Sequence, residues 1–349
     1  MKKFIIIADR IKSSGGVELL CQLIEELNKQ NENIVFVDKR LYEEKKFKFY
    51  KNIHFFFNKS NIFNTFKFNN ILDNCISRNT IIINFNGTPV FIFNNKKSYI
   101  FLQNANIWDL EFELSFFYFK HFLIYILLLF SISKNTEIIV QTKYMKNLIK
   151  KKLFQNNKFH ILPFHNFLKK KKSNHYLNIS KEKMQKTFLY FFSIENHKNY
   201  NFFFDVWSSF QKSYPEQKLL IVFFGELNKC IKILKKYQIR NFKIYSNISS
   251  EKLDEIYNLA DVLLHSSLRE SFSMTLFEAF TKGIDIILPN LPYINLMYKI
   301  ESRYDPNNFN SLYDLLEKYI NNKDEYSFKP QIKIKVNNAN NFLNYLINE

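Results

Sequence analysis

Residues 260–283 read ADVLLHSSLRESFSMTLFEAFTKG, an apolar run, a polar loop and then a helical pattern that ends on glycine. This is one βα step of an open α/β sheet: a strand over 262–265, a loop at its carboxyl end, and a helix over 274–282 that Gly283 stops as a C′ residue. Glu270 falls in the loop just before the helix, and Glu278 lies about one turn inside it. With a helix start near Ser273, the amides of Phe272, Ser273, Met274 and Thr275 point out of the tip. Unsatisfied N–H groups and the helix dipole favour an anion there. A diphosphate suits the amides, and sugar or ribose hydroxyls suit the two carboxylates. Taken alone, an ordinary solvated glutamate pair is the better reading of these residues, and the order of features along the rest of the chain reverses that preference.

Working outward, the second half of the chain repeats the alternation, with strands over 187–192, 218–224, 242–245 and 284–288 and helices near 200–211, 227–237 and 251–259. The first half does the same, with strands over 3–8, 33–37, 80–85, 98–102, 137–141 and 158–162. The helix after the first strand carries Val17, Leu20, Cys21, Ile24 and Leu27 at helical spacing. Between the halves the pattern breaks into a segment with Pro163 and the run Lys169 to Lys172, a solvated connection. At 349 residues and 46% apolar composition the chain can bury two cores. The expected division is a Rossmann-like domain over 1–165, a linker over 166–186, a second Rossmann-like domain over 187–325 and a helical tail over 326–349. Helices are expected over 308–319 and 338–348.

The formal net charge of +18 draws the protein toward anionic partners without choosing among nucleic acid, phospholipid and phosphorylated substrates. The 40 phenylalanines fall largely on predicted core elements and no RNP-like or helix-turn-helix signature is present. A basic nucleic-acid- or membrane-binding protein is the reading from a different class, and no nucleic-acid partner is expected. Cys21, Cys75 and Cys230 form no CxxC pair and supply neither a disulfide framework nor a cysteine zinc site. Only five apolar residues precede Asp9 and Arg10, too few for a secretory segment, so a cytoplasmic location is expected. Residues 115–132 are apolar and aromatic apart from Lys120 and His121, and the run 122–130 is short of the ~20 residues a spanning helix needs. They are read as a buried helix of the first domain, with an interfacial helix as the alternative.

Five glycines in the whole chain make each position informative. Gly15 and Gly16 are placed in the loop after the first strand, where amides and a helix start face a phosphate; a plain tight turn explains them as well. Asn86, Gln103, Asn104 and Asn106 lie on predicted strand-end loops of the first domain and are candidates for an acceptor, with structural hydrogen bonding an equal reading of each. No D-x-D motif and no His/Asp cluster at ligand spacing is present, so no metal site and no cofactor is expected.

The order of these features resembles glycosyltransferase family 4. The resemblance runs from Gly15-Gly16-Val17-Glu18, through Val140-Gln141-Thr142 and Ile161-Leu162-Pro163, to Glu270-Ser271-Phe272-Ser273-Met274-Thr275-Leu276-Phe277-Glu278-Ala279, which is similar to the family's E-x7-E motif. It implies the GT-B fold, two Rossmann-like domains facing each other across a cleft, with a C-terminal helix packing back on the first domain. It also implies a retaining hexosyl transfer from a nucleotide-diphospho-sugar to an envelope glycan or glycolipid of lipopolysaccharide, lipooligosaccharide or capsule type, at the cytoplasmic face of the inner membrane. In that family the residue here numbered Glu270 contacts the donor sugar, Glu278 holds the ribose, the amides between them (Ser271 to Thr275) and Gly16 bind the donor, and Lys198 neutralises the diphosphate. Phe192-Ser193 stands where the family has Gly-Arg, which puts the usual arginine contact in doubt; Arg269 is a substitute or a plain surface residue. A nucleotide-sugar epimerase of the same fold is the alternative enzyme.

Overall fold

The computed structural model describes residues 2–11, 14–30, 32–43, 50–58, 75, 79–90, 98–109, 116–153, 155–166, 185–246, 248–321 and 327–349. The chain forms two compact units, one from 1–166 with 335–349 and the other from 167–334. The linker expected over 166–186 lies, apart from its ends, outside the described residues.

In the first unit the strands are β1 (Lys3–Ala8), β2 (Asn33–Asp38), β3 (Ile53–Asn58), β4 (Thr80–Asn84), β5 (Ser98–Phe101), β6 (Thr136–Val140) and β7 (Phe159–Ile161). They pair in parallel in the order β3-β2-β1-β4-β5-β6-β7. Runs such as Phe4 to Ala8 are wholly buried because a parallel sheet is covered on both faces. The helices are α1 (Ser14–Leu27), α2 (Lys39–Glu43), α3 (Ala105–Trp108), α4 (Phe116–Ser131) and α5 (Lys143–Lys150). On α1 Val17, Leu19, Leu20, Leu23, Ile24 and Leu27 are buried, while Cys21, which the sequence reading put on this face, is half-buried.

The second unit repeats the plan. Strands β8 (Thr187–Phe192), β9 (Lys218–Phe223), β10 (Phe242–Ser246), β11 (Val262–Leu264), β12 (Asp285–Pro289) and β14 (Arg303–Tyr304) form a parallel sheet in the order β10-β9-β8-β11-β12-β14, and β13 (Tyr298–Lys299) pairs antiparallel with β15 (Gln331–Ile332). Its helices are α6 (Tyr200–Ser213), α7 (Leu227–Lys236), α8 (Ser250–Leu259), α9 (Met274–Thr281), α10 (Pro292–Met297) and α11 (Phe309–Asn321). The core is built from aromatic rings: Tyr190 stacks on Phe203 at 3.8 Å, and Phe188 meets Trp207 edge-on at 5.0 Å. These phenylalanines are packing material for this core. Gly283, just past the α9 C-cap at Lys282, has φ 70, the left-handed conformation of a C′ glycine.

The last helix, α12 (Ala339–Asn348), belongs to the first unit, as the sequence reading expects. Asn338 caps it by accepting from the Asn341 amide at 2.7 Å, and the Ala339 amide donates to Asn166 Oδ1 at 2.9 Å. Phe342 packs on Phe164 at 4.5 Å between ring centres, and Tyr345 Oη meets His160 Nδ1 at 3.0 Å.

Both sheets reverse their strand order beside the first strand, between β1 and β4 and between β8 and β11. Ligands of open α/β sheets bind outside the carboxyl ends of strands at such a switch point.

Two expectations need correction. The α1 helix begins at Ser14, so Gly15 and Gly16 are first-turn residues and not loop residues. The α4 helix is not buried: Phe119, Phe122, Leu123 and Phe130 are exposed, by 64% and 77% at the two ends. Its inner face, with Ile124, Tyr125 and Leu128, joins the core cluster of Ile100, Trp108, Ile138 and Val140, and the Tyr125 ring meets Trp108 edge-on at 5.7 Å. A sheet face accepts one stripe of a covering helix, and an all-round apolar sequence leaves the other stripe outside.

Candidate active site

In the second unit the switch point is flanked by the segment after β8, residues 193–199, and the segment after β11, residues 265–273. Backbone and hydroxyl bonds stitch them together. The Leu268 amide donates to the His197 carbonyl at 2.7 Å, and Ser266 Oγ donates to the Lys198 carbonyl at 2.6 Å while meeting Tyr190 Oη at 2.8 Å. Asn196 to Lys198 form a single 3-10 turn that Asn199 leaves in a left-handed conformation, φ 51, and α6 starts there.

This frame brings together two residues 72 positions apart in the chain, Lys198 and Glu270, which the sequence reading assigns to the diphosphate and the donor sugar of one site. Lys198 Nζ donates to Glu270 Oε1 at 2.7 Å, with side chains 22% and 18% exposed. Burial alone would raise the Glu270 carboxyl, but Lys198, then His265, outweigh it and hold it down to about 2. The Glu270 carboxylate is therefore ionised throughout the physiological range. His197, beside it, is pushed down by burial and by Lys198, with Glu270 and Glu195 opposing and Arg269 adding to the depression.

His265 was not singled out from the sequence. It sits at the end of β11, buried, and burial pushes it down to about 4, so it is neutral at pH 7. Tyr293 Oη donates to the Ser267 carbonyl at 2.5 Å, which leaves its lone pair to accept from His265 Nε2 at 2.9 Å. Tyr304 Oη donates to the His265 carbonyl at 2.8 Å. These bonds fix the start of the loop that carries Glu270.

The helix tip lies at the end of that loop. Ser273, the N-cap residue of α9, has φ 52 and ψ 80, and its side chain makes no cap bond. An uncapped helix start leaves its first N–H groups to an outside partner. The Phe272 side chain is core, packed on Phe277 at 5.4 Å, so this residue can offer a ligand only its backbone. Glu278 lies within α9, where its carboxylate accepts from Tyr257 Oη at 2.8 Å. Where the family has Gly-Arg, Phe192 packs on Phe223 at 4.9 Å and Ser193 Oγ donates to Glu195 Oε2 at 2.7 Å.

The first unit holds the acceptor-side candidates at its own strand ends, and most support the local backbone. Asn86 accepts from the Arg10 amide at 2.9 Å and donates to Asp9 Oδ1 at 2.7 Å, tying the ends of β1 and β4 at the switch point. Gln103 Nε2 donates to the Phe85 carbonyl at 3.2 Å, and Asn104 caps α3 by accepting from the Asn106 amide at 3.0 Å.

Asp9 was also missed from the sequence. Among the described residues its Oδ2 is buried without a hydrogen-bond partner, and burial raises its pKa. A carboxyl raised in the folded state costs no stability below its unfolded pKa and costs the most above its folded one. Asp9→Asn is thus expected to stabilise the protein at pH 7 by about 1 kcal/mol, a gain that shrinks toward pH 4 in paired thermal melts.

Residues 171–331 match the family model of glycosyl transferases group 1. No curated protein matches the chain. Among solved structures it is similar to WaaG, a glycosyltransferase involved in lipopolysaccharide biosynthesis, at 15% identity over 92% of this chain and 91% of that one, TM-score 0.67. It is also similar to sucrose-phosphate synthase from Thermosynechococcus elongatus at 11% identity, 94% and 92% coverage and TM-score 0.69. The lipopolysaccharide outer core galactosyltransferase WaaB follows at 17% identity, 93% and 91% coverage and TM-score 0.56.

Proposed function

We propose that this chain, a glycosyltransferase of the GT-B fold, moves a hexose with retention of configuration from a nucleotide-diphospho-sugar to a lipid-linked envelope glycan of lipopolysaccharide type. The observation that carries the reading is the Lys198–Glu270 pair at the switch point of the second sheet, followed in the chain by an uncapped helix start. Lys198 meets the charge that grows on the diphosphate as the glycosidic bond breaks, and the amides of 272–275 share it. Glu270, kept ionised, accepts from sugar hydroxyls, and Glu278 accepts from the ribose. The diphosphate itself helps take the acceptor's proton.

With the diphosphate held by an ammonium and amides, the transfer is proposed to need no metal. Among the described residues, Glu137, His160 and Glu349 bring ligand atoms within 4.8 Å of one another, but they lie in the first unit, and both ring nitrogens of His160 already hold hydrogen bonds to Glu137 and Tyr345. Asn86, Gln103, Asn104 and Asn106 remain the proposed acceptor side, and Gly16 a proposed donor contact.

Among the described residues no helix is long and apolar enough to cross a membrane. A peripheral place at the cytoplasmic face of the membrane is supported by the outward stripe of α4, Phe119, Phe122, Leu123 and Phe130, beside exposed Lys120 on a chain of net charge +18. The protein should sediment with vesicles containing anionic lipid, and the variant with serine at 119 and 130 should stay in the supernatant. Equal sedimentation of both proteins would argue against docking through α4.

The transferase reading is tested by incubating the protein with a nucleotide-sugar panel and envelope lipid extract. A lipid that gains the mass of one hexosyl residue is expected. A nucleotide-sugar converted to its epimer with no lipid gaining mass would replace this reading with the epimerase.

A further inference from the structure

The Glu278 carboxylate is held by a side chain from another helix. Tyr257, on α8, points its hydroxyl at Glu278 Oε2, 2.8 Å away, with the Thr275 carbonyl at 3.1 Å. One phenol proton serves both acceptors, so the bond fixes the carboxylate against the first turn of α9. The tyrosine itself cannot swing. It is buried, its ring lies 5.6 Å from that of Phe191, and Lys282 Nζ stands 5.7 Å from its centre while paired with Asp254 at 2.8 Å.

A glutamate on a helix surface samples several rotamers, and a hydroxyl-reading carboxylate loses selectivity when it is free to do so. We infer that Tyr257 is a positioning residue that aims Glu278 at the ribose hydroxyls and so sets the preference of the enzyme for a ribonucleotide donor over its 2′-deoxy counterpart. The inference rests on the reading of Glu278 as the ribose contact. A site built to bond a hydroxyl rejects the analogue that lacks it, because the bond that the hydroxyl would make is then lost.

The test compares the affinities of the best nucleotide-sugar and of its 2′-deoxy form by titration. The wild type should prefer the ribo donor by roughly ten- to hundredfold, the range of one hydrogen bond to a charged group. In Tyr257→Phe that ratio should fall toward one, while kcat at saturating ribo donor changes by less than about twofold, because no contact to the reacting centre is touched. In the Glu278→Ala background the same substitution should leave the ratio where Glu278→Ala alone puts it.

Should Tyr257→Phe fail to fold, two variants of the partner carry the test. Glu278→Gln keeps the reach to Tyr257 and should retain part of the ratio. Glu278→Asp, one methylene short, should lose it. Equal ratios in those two variants would overturn the inference, as would a Tyr257→Phe protein that keeps the wild-type ratio or loses affinity for both donors equally. If Glu278→Ala itself leaves the wild-type ratio intact, the ribose reading of the site falls and the role of Tyr257 falls with it.

Discussion

Replacing Lys198 with alanine is expected to lower kcat/KM for sugar transfer by roughly 10²- to 10³-fold, the usual loss when one donor is removed from a developing anion. Two effects add. On the proposed reading the departing diphosphate loses its ammonium, and Glu270 loses the partner that holds its carboxyl down to about 2. The second effect reaches stability. A carboxyl whose folded pKa is depressed contributes stability above its unfolded pKa and loses it as the pH falls through the folded value. Wild-type protein should therefore hold this contribution from pH 5 upward, and Lys198→Ala should lack it, melting as though about 1 to 3 kcal/mol were gone. Steady-state kinetics and melts across pH 3 to 8 check both halves. A variant with unchanged kcat/KM and lowered stability would leave Lys198 a structural residue.

Glu270→Gln has the second-largest expected effect, a fall of about 10²-fold in kcat/KM with a separate signature in binding. On the proposed reading the amide still reaches the sugar, but it gives up the charge that ties Lys198. A released Lys198 is free to meet phosphate, so the free nucleoside diphosphate should bind as tightly as before or more tightly while the intact nucleotide-sugar binds less well. Titration of both ligands into both proteins separates these outcomes. A parallel loss of affinity for the two would mean that Glu270 shapes the whole loop and does not read the sugar.

The sequence was most legible where burial forces composition. The run Lys3–Ala8 is apolar on both faces because helices cover both faces of a parallel sheet, and Thr187–Phe192 falls where it was read for the same reason. Strand β3, Ile53–Asn58, escaped notice, since its run of apolar residues is short, is interrupted by His54 and follows a lysine-rich stretch of sequence. In α4 the helix was legible but not its exposed side, because a helix apolar all round carries no stripe to mark which face packs. The acidic motif announced a helix tip. Its partners did not announce themselves: Lys198 meets Glu270 only because β8 and β11 are neighbours, and strand order is a tertiary fact. Tyr257 and His265 read in sequence as one more aromatic on a helix and one more residue after a strand, and only packing distinguishes them.

The Phe192-Ser193 departure from the family pattern has a structural counterpart. The ring of Phe192 continues the aromatic core to the very end of β8, and Ser193 turns to Glu195. On the proposed reading Lys198 is then the cation that meets the diphosphate, which is why its removal heads the expected losses.

Amide hydrogen exchange with and without a saturating nucleotide-sugar tests the central claim most directly. Binding at the helix tip should slow exchange over residues 271–275 and the 3-10 turn at 196–198 more than anywhere else in the second unit. Protection that appears elsewhere, with exchange at 271–275 unchanged, would contradict it.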